Sequence, residues 1–420
     1  MKMAKAGFAV LAALPICGAH AAAQAPEKII HAFIGYFGDG RAPSSLVLGS
    51  GGMLYGSTKF GGSSDNGTVF SMTPPASPGG AWTETVLENF PAAAANPLPS
   101  VAAVKNGVLL GFTERGGSAL AGTVFTLTPP PSPGGQWTET DLYDFTNQAG
   151  GTLPNSLIVA DGVLYGTTFV SEYGLGFGAV FSLTPPASSG GDWTETVLYS
   201  FTGGSDGGSP NSLMMGESGM LYGTALIGGT ANNGVAFSLT PPVASGGNWT
   251  EKVLYAFEGG GDGGYPMGVA IGSGGVLYGT TFDGGVSIPE CDSGCGTVFS
   301  LTPPASPGGE WTEAVLYSFN GGSDGYAPPV GVTVGGGGVL YGVTGNGNNN
   351  EGGGVAFSLT PPSEPGGAWA ETVLHSFTGP YGKAGVDPTS RLVLGLGGLL
   401  YGTTFRGGGH GDGTVFELKP

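Results

Sequence analysis

A Leu-Tyr-Gly triplet returns at Leu54-Tyr55-Gly56, Leu164-Tyr165-Gly166, Leu221-Tyr222-Gly223, Leu277-Tyr278-Gly279, Leu340-Tyr341-Gly342 and Leu400-Tyr401-Gly402, with Leu109-Leu110-Gly111 as a variant. That makes seven copies, 55 to 63 residues apart. A period of this length means one supersecondary unit per copy. Within a copy, four short runs rich in β-branched and aromatic residues are separated by Gly, Pro, Ser and Asn clusters. In the third copy they are Ser156 to Ala160, Val163 to Phe169, Gly178 to Thr184 and Trp193 to Phe201. No window keeps a 3.6-residue apolar period for more than a turn. Four strands per copy and seven copies predict an all-β, seven-bladed β-propeller, each blade a four-stranded antiparallel sheet. The 86 glycines and 32 prolines would suit disorder on composition alone, but periodicity overrules that.

The termini predict how the ring closes. Glu27 to Phe33 matches Glu251 to Phe257 as one repeated strand, yet it stands alone at the start. The last copy ends at Gly413 to Pro420, before reaching a strand of this kind. Residues 27 to 33 are therefore expected to complete the seventh blade beside Gly413 to Leu418, removing an exposed sheet edge. Ile29, Ile30 and Phe33 would each contribute about 1.5–3 kcal/mol if fully buried. With the first run innermost and the fourth outermost, the loops between blades and between second and third strands share one face. The first hairpin and the Pro-rich third hairpin lie on the other.

The start reads as a secretory signal over residues 1–25: Lys2 and Lys5, an apolar run from Ala6 to Ile16, then a small-residue region to Ala25. Cleavage is expected near Ala23 or Ala25, leaving the propeller over 26–420. The run is shorter than the roughly 20 residues that span a bilayer. Ile16 before Cys17 does not suit lipoprotein processing. The expected location is secreted, periplasmic or cell-surface, as a monomer without a transmembrane segment. A formal charge of −18 argues against nucleic acid or anionic membrane as a partner.

The block Gly-Gly-x-Leu-Tyr-Gly-Thr-Thr, a Gly-rich loop, then Gly-Thr-Val-Phe-x-Leu is carried most fully by Gly274 to Thr281 with Gly296 to Leu301, and by Gly397 to Thr404 with Gly413 to Leu418. It resembles the bacterial tandem repeat called the GloVer repeat. The resemblance implies export and a propeller-like fold, and brings no catalytic motif. The second copy departs from it, with Leu110 and Phe112 for the usual tyrosine and threonine.

Six tryptophans, Trp82, Trp137, Trp193, Trp249, Trp311 and Trp369, follow a Pro-Pro loop and open the outer strand. They read first as pins holding that hairpin to the sheet, and second as platforms for sugar rings. The Leu-Tyr-Gly tyrosines read as blade packing, with a close backbone approach at the glycine. On the presumed ligand face, Asp39, Asp206, Asp262 and Asp324 recur in Gly-rich loops. Asp-Gly is good turn chemistry; a Ca²⁺ site is the alternative, though one carboxylate per loop falls short of the six to eight oxygens calcium takes. Otherwise no cofactor is expected. Cys291 and Cys295, inside a longer loop of the fifth copy, predict a local disulfide.

The basic residues Lys59, Arg115 and Arg406 stand at similar points of copies one, two and seven, neighbours in a closed ring. Arg41, His410 and Asp412 lie in adjoining loops. Together with Asp39 they are candidate ligand-binding residues, fit for a carboxylate such as a uronic acid; the plainer reading is solubilising surface charge. No Gly-x-Ser-x-Gly elbow leading into a helix, no His-Glu-x-x-His and no phosphate loop is present, so catalytic residues are not assigned. The expectation is an exported propeller that binds a glycan or an extracellular protein without catalysis. The alternatives are a lyase or hydrolase at the channel mouth, or an envelope scaffold.

Overall fold

The computed structural model describes residues 27–420, apart from 37, 78, 92–97, 133, 147–150, 170–175, 189, 245, 307, 348–352, 365 and 378–383. The signal expected over 1–25 lies outside the described residues. Seven antiparallel sheets form a ring, and in six of them the strands pair in chain order, the seventh being completed by the N-terminal strand. Blade 1 runs Gly40–Leu48, Leu54–Gly61, Thr68–Thr73, Thr83–Asn89. First strands of successive blades touch one another, which puts them around the axis. Beyond strands, the described residues hold only short 3-10 turns.

Closure by the N-terminal strand holds. Lys28–Ala32 pairs antiparallel with Thr414–Leu418, with Lys28 opposite Glu417 and Ala32 opposite Thr414. Phe33 is fully buried, whereas Ile29 and Ile30 are half-buried, so the apolar gain centres on the phenylalanine.

One aromatic contact repeats at every blade junction. The phenylalanine ending each outer strand lies against the phenylalanine of the next blade's third strand, edge-on for Phe33 on Phe70, Phe90 on Phe125, Phe145 on Phe181, Phe201 on Phe237, Phe257 on Phe299 and Phe319 on Phe357, and tilted for Phe377 on Phe416. Ring centroids are 5.0 to 5.6 Å apart. Such geometry sets a ring edge against a π face. The triplet glycine makes room for it: a Cβ on Gly56 would lie 2.5 Å from Phe70 Cζ, and one on Gly223 2.5 Å from Phe237 Cζ.

Inner strands start earlier than expected. In blade 3 the strand is Thr152–Ala160, and it tolerates Pro154, which has no N–H to donate, because the pairing shifts register on both sides of it. Blades 6 and 7 are irregular. In blades 1, 3, 4 and 5 the strand proline is followed three residues later by a buried aliphatic residue, Leu46, Leu157, Leu213 or Val269. In blades 6 and 7 the interval is four, from Pro328 to Val332 and from Pro388 to Leu392. The extra residue shortens the blade 6 strand to Thr333–Val334 and splits that of blade 7 into Gly385–Pro388 and Val393–Leu394.

Candidate functional site

The loop aspartates close their own turns. Asp206 accepts bonds from the Tyr199 hydroxyl (3.0 Å) and Thr202 N–H (2.9 Å). Asp262 takes Tyr255 (3.0 Å) and Glu258 N–H (2.8 Å), and Asp324 takes Tyr317 (2.9 Å) and Asn320 N–H (3.0 Å). Asp39 accepts from the Ile34 and Gly40 N–H groups, 2.8 Å each, with His31 Nε2 3.7 Å away. Among the described residues, no three His, Cys, Asp or Glu side chains gather as a metal group.

The basic candidates part into separate arrangements. Arg41 grips Asp65 through Nε (3.0 Å) and Nη2 (2.8 Å), lies over the Phe60 ring, and holds the Asp65 carboxyl below its ordinary range. Arg406 lies 3.7 Å from Asp387 within blade 7. Arg115 occupies the same place in blade 2 as Arg406 does in blade 7, two residues past the threonine that pairs with the third strand. Lys59 stands one position earlier, which in a strand puts it on the opposite face. Arg41, Asp39, His410 and Asp412 come together. Burial pushes Asp412 up, Arg41 and His410 oppose this, and Asp39 adds to it. Asp412 Oδ2 is buried with no hydrogen-bond partner among the described residues.

Sequence reasoning missed a set of carboxyls at the blade junctions. Glu27, Glu84, Glu139, Glu195, Glu251, Glu313 and Glu371 hold one position of the outer strand, each facing the outer strand of the preceding blade. That preceding strand offers His375, His31, Glu88, Tyr143, Tyr199, Tyr255 or Tyr317 in turn. Tyr143 donates to Glu195 at 2.9 Å. Burial raises Glu84, Glu251, Glu313 and Glu371 to about 7. Their recurrence after each tryptophan was the available signal.

The junction between blades 1 and 2 breaks this pattern, because Glu88 replaces the ring. A groove of about 490 Å³ opens there, lined by Thr85 to Asn89 on one side and by Pro130, Gly134, Gly135, Gln136 and Trp137 on the other. Glu139 is exposed here, whereas its counterparts Glu84, Glu195, Glu251, Glu313 and Glu371 are half-buried. Protein walls it on several sides while solvent reaches it; this crowding, with Glu88 and Asp141, raises it to about 7.

The tryptophans act as pins, but between blades. Trp82 packs on Tyr401, Trp137 on Tyr55, Trp249 on Tyr165, Trp311 on Tyr222 and Trp369 on Tyr278, with centroids 5.6 to 6.4 Å apart. Trp193 joins the cluster of Leu110, the residue that stands for tyrosine in blade 2. The disulfide between Cys291 and Cys295 is present. Its loop folds onto the junction of blades 5 and 6, where both cysteines pack with Phe319 and Val332, and Cys295 O accepts the Ala327 N–H at 2.9 Å.

The sequence profile described as the Gloeobacter/Verrucomicrobia repeat matches residues 42–288. No curated protein sequence matches the chain. Among solved structures, virginiamycin B lyase from Staphylococcus aureus superposes with a TM-score of 0.54 at 14% identity, covering 94% of this chain and 99% of the lyase. The extracellular domain of a hybrid two-component system from B. thetaiotaomicron gives a TM-score of 0.56 at 12% identity, covering 94% of this chain and 43% of that one. Similarity at this level reports the ring fold.

Proposed function

This chain belongs to the Gloeobacter/Verrucomicrobia repeat family, and from that premise we propose that it is an exported binding protein that seats a carbohydrate in the groove between blades 1 and 2. The carrying observation is the replacement of a junction tyrosine or histidine by Glu88, beside an opening of sugar-accommodating size. Trp137 supplies a flat apolar face for the C–H side of a pyranose. Asn89, Gln136 and Glu88 supply amide and carboxylate groups for its hydroxyls. A local disulfide suits an oxidising compartment, and no helix among the described residues is long and apolar enough to cross a membrane.

A glycan array on the full chain is the test. Binding should fall at least tenfold in Glu88→Gln and Trp137→Ala and persist in Trp311→Ala, whose junction keeps its tyrosine. An empty array, or equal loss in Trp311→Ala, would sink the reading. A second reading, a carbohydrate-active enzyme at the ring closure, is favoured by the buried, unpartnered Oδ2 of Asp412 beside Arg41 and His410. Polysaccharide turnover abolished by Asp412→Asn would select it.

A further inference from the structure

Arg391 lies in the break between Gly385–Pro388 and Val393–Leu394, the two pieces of blade 7's inner strand, and its side chain does not stay in that blade. It passes blade 6 and ends on blade 5, where Nη2 donates to the Val269 carbonyl at 3.1 Å, across 122 residues of sequence. A glycine clears this path: a Cβ on Gly331 of blade 6 would stand 2.5 Å from Nη2, whereas one on Gly268 of blade 5 would only touch it, at 3.5 Å. Where blade 5 has Gly268, blades 1, 3 and 4 have Ser45, Ser156 and Ser212.

Inner strands face the axis, so this guanidinium lies in the central channel. Protein surrounds it, yet the residue is only half-buried by exposure, as expected where a channel admits solvent. Desolvation lowers its pKa to about 10, and among the described residues no carboxylate offsets this. Two other arginines of this acidic chain have acids: Arg41 has Asp65, and Arg406 has Asp387. Among the described residues, Val269 O is the one acceptor Arg391 meets, so N–H groups on Nε and Nη1 remain for solvent or a ligand. A desolvated cation without a counter-ion is costly, and here blades 6 and 7 depart from the repeat to hold one.

We propose that Arg391 is an anion-recognition point in the channel, binding the carboxylate of a ligand that enters along the axis. The planar fork matches a carboxylate through two parallel N–H bonds. This site is independent of the groove beside Trp137.

The test compares D-galacturonate and acetate with neutral D-galactose at matched ionic strength, on the full chain. Both carboxylates should raise the wild-type melting temperature with concentration, as ligands of the native state do, and D-galactose should not do so through this site. Calorimetric affinity for the carboxylates should drop at least tenfold in Arg391→Gln, fall less in Arg391→Lys, and be unchanged in Trp137→Ala. A wild-type melting temperature indifferent to both carboxylates would reduce Arg391 to a strut and overturn the proposal, whether or not the variants fold. Unchanged affinity in a folded Arg391→Gln protein would overturn it equally.

Discussion

At the residue scale, the junction glutamates set how stability follows pH. Glu27, Glu84, Glu251, Glu313 and Glu371 are raised from 4.5 to about 7, with burial the largest cause in each. Between those values the native state binds more protons than the unfolded chain, so stability falls as pH rises through the window. The melting temperature should be higher at pH 5 than at pH 8 by several degrees, measured calorimetrically at constant ionic strength. A flat or rising profile would contradict the junction geometry. Glu371→Gln replaces one titrating group with a neutral amide of the same shape. It should raise stability at pH 8 by about 1 kcal/mol or less, given partial solvent screening, and leave pH 5 nearly unchanged.

At the element scale, the blade is a sheet locked to its neighbours by two aromatic contacts, and each can be broken separately. Gly223→Ala would drive a Cβ into Phe237 and should cost about 1–3 kcal/mol as overpacking; denaturant midpoints would report it. Trp311→Ala removes the ring that packs on Tyr222 and should cost about 2–3 kcal/mol, below the range for a fully buried ring. Much of this element was legible in the sequence, because a copied unit repeats its Leu-Tyr-Gly and Gly-Thr-Val-Phe strands at recognisable offsets. Less legible was which neighbour each aromatic meets. Trp311 and Tyr222 recur with one period, and a period alone does not say that the contact crosses from one copy to the next. Glu88 was hidden for a related reason. It departs from the repeat by one residue inside a regular strand, and its effect, an opening beside Trp137, exists only once blades 1 and 2 are side by side. Pro154 misled differently, since proline argues against a strand interior until a shift of register accommodates it.

At the scale of the whole molecule, the ring depends on its first strand. Removing residues 27–34 would expose the edge of Thr414–Leu418 and the Phe70 ring that Phe33 covers. The shortened chain should aggregate or melt many degrees lower, by light scattering and calorimetry; an unchanged melting curve would refute closure by this strand. The candidate sites, too, belong to this scale. Arg41 and Asp412 come from opposite ends of the chain and meet only when it closes, and Arg391 reaches blade 5 only across blade 6. The pairing of Lys28 with Glu417, 389 residues apart, also sets an order of events. Holding the ends of so long a segment together costs about 3 kcal/mol more in chain entropy than a ten-residue hairpin. Blades built from local hairpins can therefore form while the closing strand is still free. The ring's own first strand is the last to find its partner, and until it does the ring is an open arc with two unsatisfied edges, most exposed to aggregation just before completion.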